Sequence, residues 1–490
     1  MTTTAKDEAK ILASIPTGLF IGGKWVKGHA ERAIRVEDPA TNQILIEIEN
    51  ANEADARLAM SAAVDAQDGW ANSSPRDRAE LLRRTFELVR ERHEEFATLI
   101  SLEMGKPLAE ARGEVTYGNE FVRWFSEEAA HPRGRFGLNP EGTGNMLITK
   151  RPVGPVYAIT PWNFPLAMAT RKIAPAIAAG CTMVVKPAEL TPLTTMFFVK
   201  MLEEAGLPAG VVNVIATSTS SATSAPIIND SRLRKITFTG STPVGVKLLQ
   251  QAANNVLRTS MELGGNAPFL VFEDADIDAA VTGAMQAKMR NIGQACTAAN
   301  RFIVHDKVAD EFATKFAAKM SELNLGRGVD DGTTCGPVIN LSAQQSMQAL
   351  VDQSVKEGAD IVTGGETVGD KGYFFKPTVL ANVPADASIL REEIFGPIAP
   401  IVRFKTESEA IRLANDTEYG LVSYAFTQDL QRGMRLVNQL DTGMSGINTG
   451  LVSNAAAPFG GVKQSGLGRE GGFEGLEEYL ETRYVLIPNI

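Results

Sequence analysis

The chain has 490 residues, of which 44% are hydrophobic, and its 58 acidic and 48 basic residues give a formal net charge of −10. This length suggests about two to three domains, with enough apolar residues for large cores that need no disulfide support. The acidic balance, without a Lys- or Arg-rich block, argues against nucleic acid as a partner. Three scattered cysteines and four scattered histidines argue against a metal site.

The N-terminal stretch MTTTAKDEAK lacks the apolar core that signal peptides carry. A long uncharged run spans residues 152–170, but it contains four prolines and is therefore no membrane helix. We expect a cytoplasmic protein with no membrane partner.

The first clear helix signal is Ser74-Pro75-Arg76-Asp77, in which a serine cap precedes a proline in the first turn and an acid three residues on. Apolar residues then follow at helical spacing, which predicts one buried face. These residues are Leu82, Phe86, Val89, Phe96 and Ile100. The glycine- and proline-rich segment 132–145 predicts a loop between this helical region and a β-rich region.

Short β-rich runs alternate with helices after residue 150. TMVVK (182–186), KITFT (235–239) and PFLVF (268–272) stop at a proline, a glycine and an acidic segment, respectively. Continuous apolar strands separated by helices are typical of a parallel sheet covered on both faces, so the fold class is predicted to be α/β. TSTSSATSAP (217–226) is a low-complexity patch, and the C-terminal LETRYVLIPNI has strand character without a partner nearby in sequence.

Two motifs of the β-rich region place polar side chains beside prolines. In TPWNFP (160–165), Asn163 lies between two prolines, where its amide either donates to an oxyanion or holds a turn. In KPAE (186–189), Lys186 and Glu189 follow a buried strand. Ligands of open α/β sheets bind at such strand ends, and a carboxylate there accepts ribose hydroxyls; a solvated turn is the alternative.

Two glycine-containing motifs follow. FTGSTPVG (238–245) combines a strand, a glycine turn and a helix with Pro243 in its first turn, which indicates a phosphate seat or a plain strand-to-helix turn. It is no P-loop, because Val246 occupies the lysine position. In MELGGN (261–266), Glu262 precedes two glycines that let backbone or cofactor approach closely.

Cys296 lies in RNIGQACTAANR, with no aromatic or large aliphatic residue within three positions on either side. Small neighbours give a nucleophilic sulfur the access it needs, although no histidine lies nearby in sequence to activate it. By contrast, Cys181 in AAGCTMVV is predicted to be a core residue and Cys335 in DDGTTCGP a loop residue. REEIFGP (391–397) offers Glu393 and Phe395, either to a ligand or to a solvated face.

The order of these motifs carries more information than any one of them. TPWNFP, KPAE, FTGSTPVG, MELGGN, GQAC, EEIFGP and PFGGVKQSGLGRE (458–470) together resemble the aldehyde dehydrogenase superfamily over nearly the whole chain. AMATRK, KMRNIGQAC and LVSNAAAPFGG resemble its succinate-semialdehyde dehydrogenase group. The resemblance implies oxidation of succinic semialdehyde, a small aldehyde with a distal carboxylate, and a nicotinamide cofactor. Glu189, which would bind a ribose 2′-hydroxyl and repel a 2′-phosphate, favours NAD, with NADP as the alternative.

The same resemblance implies roles for individual residues. Cys296 attacks the aldehyde, Asn163 and the Cys296 backbone N–H stabilise the oxyanion, and hydride loss leaves a thioester. Glu262 activates the hydrolytic water and Glu470 relays its proton. The implied cofactor-binding residues are Thr160, Pro161, Trp162, Asn163, Lys186, Glu189, Gly240, Ser241, Leu263, Glu393 and Phe395, and the implied ligands of the substrate carboxylate are Arg171, Arg290 and Ser453.

The resemblance also implies an architecture of three parts. They are a Rossmann-like cofactor domain (1–129 and 148–260), an α/β catalytic domain (261–464) and a β-arm (130–147 and 471–490). Arms of this kind assemble relatives into dimers and tetramers, so a homodimer or homotetramer is expected, with a partner covering exposed strand edges.

Two departures from the family pattern stand out. Relatives often carry a second cysteine two positions after the nucleophile, where this chain has Ala298, so a Cys–Cys redox switch in this loop is excluded; and TSTSSATSAP replaces a stretch that usually contains glycine. Three alternative functions remain: a dehydrogenase of broader aldehyde range, acyl transfer to CoA or phosphate, and a non-catalytic protein on the same fold. Glu262 as a water activator argues against the second, and intact Asn163, Glu262 and Cys296 against the third.

Overall fold

The computed structural model describes residues 5–488. The helices are α1 Ala5–Ser14, α2 Glu53–Ala71, α3 Pro75–Glu91, α4 His93–Met104, α5 Leu108–Glu128, α6 Pro165–Ala179, α7 Leu193–Glu204, α8 Ser220–Ile228, α9 Thr242–Ala253, α10 Ile277–Met289, α11 Ala309–Ser321, α12 Leu341–Lys356, α13 Glu407–Asn415, α14 Leu430–Gln439 and α15 Gly472–Glu477. The strands are β1 Leu19–Ile21, β2 Lys24–Val26, β3 Ile34–Asp38, β4 Gln43–Ile48, β5 Arg135–Leu138, β6 Gly144–Pro152, β7 Val156–Ile159, β8 Met183–Lys186, β9 Val212–Val214, β10 Lys235–Thr239, β11 Arg258–Glu262, β12 Ala267–Val271, β13 Ala299–His305, β14 Asp360–Thr363, β15 Thr367–Val368, β16 Phe374–Phe375, β17 Thr378–Ala381, β18 Ile398–Phe404, β19 Tyr419–Gly420, β20 Val422–Phe426, β21 Met444–Ile447, β22 Val462–Lys463, β23 Gly466–Leu467 and β24 Leu480–Pro488.

Two large sheets organise the molecule and confirm the predicted α/β class. The first has the strand order β2-β1-β9-β8-β7-β10-β11-β23. Its five central strands, β9, β8, β7, β10 and β11, run parallel. The second has the order β14-β17-β18-β13-β12-β20-β21 and is parallel except for β14. Their central strands are fully buried, which explains the continuous apolar runs in the sequence.

Several local predictions are confirmed. KITFT is β10, while TMVVK and PFLVF match β8 and β12 to within one residue. Helix α3 begins as predicted, with the backbone N–H of Asp77 donating to Ser74 Oγ at 3.0 Å and Pro75 in the first turn. Cys181 is a core residue, as predicted.

The predicted helical face between residues 82 and 100 belongs to two helices, not one. Arg92 leaves the helical conformation (φ −104°, ψ 26°) between α3 and α4, and its guanidinium pairs with Glu204 at 2.7 Å. Leu82 and Val89 are buried from α3, and Phe96 is buried from α4, in one common core. The helical spacing of the apolar residues therefore continues past Arg92, although the helix itself breaks there.

The predicted loop at 132–145 is partly a hairpin. It contains β5 and the start of β6, which pair antiparallel. The turn is closed by Asn139, whose Oδ1 accepts the backbone N–H of Thr143 at 2.9 Å and of Gly144 at 3.1 Å. The low-complexity patch 217–226 mostly forms α8, in which Ser224 contacts Tyr157 Oη at 2.7 Å.

The C-terminal strand predicted from LETRYVLIPNI is β24, with residues 489 and 490 outside the described range. It pairs with β6 from Leu480↔Pro152 to Pro488↔Gly144. Strand β6 therefore continues five residues past 147, the end predicted for the first arm segment. The arm exposes apolar side chains, with Phe136 and Leu138 more than 60% accessible.

The two large sheets meet end to end. Only four residues separate the last residue of β11, Glu262, from the first of β12, Ala267. The carboxyl ends of the first sheet therefore face the amino ends of the second. The chain returns to the first sheet at β23, where Gly466 opposes Glu262 at a φ of +132° and a Cβ would overlap Met261 O. This return brings Glu470 into the region between the sheets.

Within residues 5–488 no helix is long and apolar enough to cross a membrane. In the same range, no group of three or more His, Cys, Asp or Glu side chains is placed to hold a metal ion.

Candidate active site

A cavity of about 210 Å³ lies between the two sheets. It opens at the carboxyl ends of β7 and β10, where the strand order of the first sheet reverses, and open α/β sheets bind ligands at such points. Its lining is Pro161, Trp162, Asn163, Met168, Thr239, Gly240, Ser241, Leu263, Gly264, Cys296, Glu393 and Phe395. Nine of these twelve residues were singled out from the sequence; Met168, Thr239 and Gly264 were not.

The loop that carries Cys296 has an unusual backbone. Asn291, Ile292 and Gly293 have φ values of 53°, 60° and 75°. Such a conformation costs a residue like isoleucine about 1–3 kcal/mol and persists only where neighbours hold it. Here Glu110 accepts the Asn291 N–H at 2.5 Å, and a Cβ on Gly293 would overlap Gly396 O. The packed surroundings therefore fix the position of the sulfur.

The Cys296 thiol is partly exposed in the cavity, between buried Ala295 and Ala298. Burial raises the pKa of this thiol to about 12, against the lowering effect of the Arg171 cation. The sulfur therefore carries its proton near neutral pH, and an attack on a carbonyl carbon must release it.

Asn163 is fixed to the cysteine loop by its side-chain nitrogen and by its backbone oxygen. Its Nδ2 donates to the backbone oxygen of Gln294 at 3.0 Å. Its own backbone oxygen accepts Lys106 Nζ at 2.8 Å and Asn291 Nδ2 at 3.0 Å. The amide group is thus held beside the loop whose sulfur it is expected to assist.

A buried ion pair that was not predicted from the sequence supports Asn163. Lys106 Nζ donates to Glu114 Oε2 at 2.5 Å and lies 3.9 Å from the centroid of the Phe164 ring. The other oxygen of Glu114 accepts the Leu166 N–H at 2.9 Å, which caps α6. Glu114 lies three residues after Ala111 and one before Val115, on the buried face of α5. The acidic Glu114 on an otherwise apolar helical face could have indicated this buried pair from the sequence. No feature of the sequence around Lys106 indicates its role.

Glu262 and Glu470 form a carboxylate pair with opposite pKa shifts. Glu262 is 2% exposed, and burial together with the Glu470 charge raises its pKa well above the ordinary value. Burial also favours a raised pKa for Glu470, but Arg171 and Lys172 outweigh it and hold the pKa below its ordinary value. The raised pKa makes the ionised form of Glu262 the stronger base of the two, while Glu470 stays ionised.

Arg171 and Lys172 are fully buried on α6 and contact the two oxygens of Glu470. The guanidinium of Arg171 also lies 4.3 Å from the centroid of the Phe459 ring. The charge of Arg171 is thus matched within the protein. Lys172 is part of the AMATRK motif, but the sequence gave no reason to assign it a role.

Arg290 and Ser453 meet although 163 positions separate them. Arg290 Nη1 donates to Ser453 Oγ at 3.1 Å, and its guanidinium lies 4.9 Å from the Phe164 ring centroid and 5.3 Å from that of Tyr117. Ser453 and Tyr117 line a second cavity, of about 470 Å³. Phe164 packs in one apolar cluster with Ala295, so this cation lies beside the cysteine loop.

The remaining cofactor candidates surround the first sheet's carboxyl ends. Thr160 N–H donates to Lys186 O at 3.1 Å, and burial lowers the pKa of Lys186 to about 8. Lys186 Nζ contacts Ser220 Oγ at 3.2 Å, while Glu189 is exposed. Neither Lys186, Glu189 nor Thr160 lines the 210 Å³ cavity.

The turn after β10 and the segment around Glu393 complete the lining. Ser241 precedes α9 and makes no side-chain cap bond to it. Glu393 accepts the Gly265 N–H at 3.0 Å, and burial raises its pKa to about 7. Phe395 adopts a positive φ of 49° and meets Trp162 edge-on, 5.4 Å between ring centroids.

Comparison with known proteins gives consistent matches. The family model "Aldehyde dehydrogenase family" matches residues 25–485. The chain is 60% identical to succinate-semialdehyde dehydrogenase of Paenarthrobacter nicotinovorans, over 91% of this chain and 99% of that one. It is 44% identical to the NADP(+) succinate-semialdehyde dehydrogenase of Escherichia coli K12, over 96% and 97%.

Among solved structures, betaine aldehyde dehydrogenase from Staphylococcus aureus in complex with NAD+ superposes with a TM-score of 0.96 at 34% identity, covering 99% of this chain and 98% of that one. The fold, the cysteine loop with its buried carboxylate pair, and these matches agree. The chain belongs to the aldehyde dehydrogenase family.

Proposed function

We propose that the protein oxidises succinic semialdehyde to succinate with NAD(P)+ and that Cys296 is the nucleophile. The observation that carries this proposal is the Arg290–Ser453 pair beside the cysteine loop. In an acidic protein, a semialdehyde with a distal carboxylate needs such a local cation, and the planar guanidinium suits a carboxylate. Arg171 contacts Glu470, so we propose Arg290 and Ser453 as the direct ligands.

The first chemical step follows from the state of the thiol. Cys296 Sγ attacks the aldehyde carbon, its proton passes to solvent in the cavity, and the carbonyl oxygen becomes an oxyanion. The amide of Asn163 and the Cys296 N–H then donate to that oxygen. Donors of this kind contribute about 3–4 kcal/mol each to transition-state stabilisation. In the structure the Asn163 amide donates to Gln294 O, a bond it exchanges for the oxyanion.

The first cavity fits a nicotinamide cofactor. The N-terminal end of α9, with Ser241 free of a cap bond, offers backbone donors to a pyrophosphate. A Cβ on Gly240 would collide with the Phe238 ring, so glycine keeps this turn close-packed. Trp162 and Glu393 line the same cavity as Cys296. When bound, the cofactor supplies the hydride acceptor, and loss of hydride leaves an acyl thioester on Cys296.

Hydrolysis of the thioester uses the carboxylate pair. Glu262, with its raised pKa, takes a proton from water while the water oxygen attacks the thioester carbon. The carbon–sulfur bond then breaks, the acid product leaves, and the sulfur takes the proton that Glu262 received from water. Glu470, held ionised by Arg171 and Lys172, raises the pKa of Glu262 and so makes the ionised form of Glu262 a stronger base.

NAD+ is the proposed cofactor, with NADP+ as the alternative. Glu189 accepts ribose hydroxyls and repels a 2′-phosphate; two like charges about 4 Å apart cost on the order of 1–4 kcal/mol. Lys186 favours the phosphate, but its lowered pKa weakens that attraction. Replacing Glu189 by serine is expected to raise kcat/KM with NADP+. A wild-type kcat/KM higher with NADP+ than with NAD+ contradicts the proposal.

We propose that the chain has a cofactor domain (1–129 and 148–260), a catalytic domain (261–464) and a β-arm (130–147 and 471–490). We propose that the arm assembles the protein into a homodimer or homotetramer. The exposed apolar side chains of β5 and β24 support the assembly, as does a cleft of about 1340 Å³ beside the arm. Sedimentation velocity tests it, and a monomeric wild type contradicts it. A cytoplasmic location is proposed because Cys181 and Cys335 are unpaired.

One assay tests the proposed activity. Protein, succinic semialdehyde and NAD+ are mixed, NADH is followed by absorbance, and the products are identified. Succinate and NADH in equal amounts support hydrolytic oxidation. A requirement for CoA or phosphate identifies acyl transfer, equal kcat/KM for butanal identifies a broader aldehyde range, and the absence of NADH with any aldehyde identifies a non-catalytic protein.

A further inference from the structure

Tyr117 carries a buried hydroxyl that the proposed mechanism leaves unexplained. The residue lies on α5, and its ring packs against the cluster that contains Phe164, Ala295 and Ala298, the last two of which flank Cys296. Its Oη is enclosed, and no atom of the described chain is within hydrogen-bond distance of it. A buried hydroxyl left in this state costs about 1–3 kcal/mol.

Other donors lie near the Tyr117 ring. The guanidinium of Arg290 is 5.3 Å from the centroid of the Tyr117 ring and donates to Ser453 Oγ. Ser453 and Tyr117 line the same 470 Å³ cavity. Tyr117 and Ser453 thus line one cavity, and Arg290 lies against both of them. An ionised carboxylate has about four acceptor positions to offer these three donors.

Arg171 already has an ionic partner in the structure, although its Nη2 is also buried without a hydrogen bond. Its charge is matched by Glu470 and its guanidinium lies over the Phe459 ring. A carboxylate held by Arg290 and Ser453 alone would leave acceptor positions empty, and Tyr117 Oη is an enclosed, uncharged donor near them.

We infer that Tyr117 donates a hydrogen bond from its hydroxyl to the distal carboxylate of the substrate and so determines specificity for semialdehydes that end in a carboxylate. This inference rests on the proposed function and adds a residue to it. The protein accepts an unpaired hydroxyl in the free state because the substrate supplies the missing acceptor. Sites built this way reject analogues that lack the matching group.

The test is the substitution Tyr117→Phe, which removes only the hydroxyl oxygen. Hydrogen bonds to charged groups correspond to about a 10- to 150-fold effect, so kcat/KM for succinic semialdehyde is expected to fall by that factor. For butanal, which has no carboxylate, it is expected to change less than about twofold. Tyr484→Phe is the matched control, because Tyr484 is 56% exposed on the arm, and neither substrate is expected to be affected.

A binding measurement separates this role from a change in packing. By calorimetry, succinate is expected to bind Tyr117→Phe more weakly by the same factor, while butanamide, which has no carboxylate, binds as it does to wild type. Equal losses on both aldehydes, or unchanged values on both, overturn the inference. If wild type itself shows no preference for succinic semialdehyde over butanal, the proposed substrate has failed instead.

Discussion

Replacing Arg290 by alanine removes the cation proposed to hold the substrate carboxylate. Its guanidinium is partly exposed, donates to Ser453 Oγ at 3.1 Å and packs over the rings of Phe164 and Tyr117. The backbone of Arg290 precedes the constrained segment that carries Cys296, and the side chain makes no ion pair with an acidic residue in the described range. The substitution therefore leaves no unpaired buried charge.

Two contributions set the size of the effect. Loss of a charged hydrogen bond to the carboxylate costs about 1.5–3 kcal/mol, or 10- to 150-fold in kcat/KM, for succinic semialdehyde only. Loss of the contact between the guanidinium and the two rings costs about 0.5–1 kcal/mol, or two- to fivefold, for every aldehyde. The ratio of kcat/KM for succinic semialdehyde to that for butanal is therefore expected to fall by at least about tenfold.

Initial rates of NADH formation at saturating NAD+ measure both values of kcat/KM. Arg290→Lys keeps the charge and loses the planar fork, so its ratio is expected to lie between those of wild type and Arg290→Ala. Arg123→Ala is the control, because Arg123 lines the 470 Å³ cavity but is exposed. Equal losses on both aldehydes in Arg290→Ala would refute the reasoning and assign Arg290 a packing role.

Three further predictions concern the chemistry. Arg171→Ala is expected to lower kcat/KM for both aldehydes alike and to lower the melting temperature, because breaking a buried ion pair, here with Glu470, costs about 3–5 kcal/mol; a loss confined to succinic semialdehyde contradicts this. Cys296→Ser is expected to abolish oxidation and keep NAD+ affinity in calorimetry, and near-normal turnover would disprove the assignment. The pKa of Cys296 is raised to about 12, so alkylation of this thiol by iodoacetamide is expected to rise about tenfold per unit between pH 7 and 9, whereas a plateau near pH 8 is incompatible with it.

Local signals in the sequence predicted the strands but not every boundary. KITFT matches β10 because apolar, β-branched residues end at a glycine. The break at Arg92 was not predictable in this way, because it accompanies an ion pair with Glu204, more than one hundred positions away. Strand β5 was predicted as loop, since its pairing with β6, and not its own composition, makes it a strand.

The same distinction applies to the site. Cys296 and Glu262 lie in motifs that mark them in sequence, and both reach the space between the sheets. The partners that set their environment come from distant segments: Lys106 reaches Asn163 through the packing of α5 against α6, and Glu470 reaches Arg171 because β23 returns to the first sheet. Ionic partnerships of this kind depend on tertiary structure and leave little trace in the sequence.

The central claim, an acyl thioester on Cys296 whose hydrolysis depends on Glu262, is tested most directly by trapping that intermediate. Glu262→Gln enzyme is mixed with succinic semialdehyde and NAD+, quenched in acid after one burst of NADH, and digested for peptide mass spectrometry. One succinyl group on the peptide that contains Cys296, in an amount equal to the NADH burst, is the predicted result. A burst without an adduct, or an adduct on Cys181 or Cys335, would contradict the account.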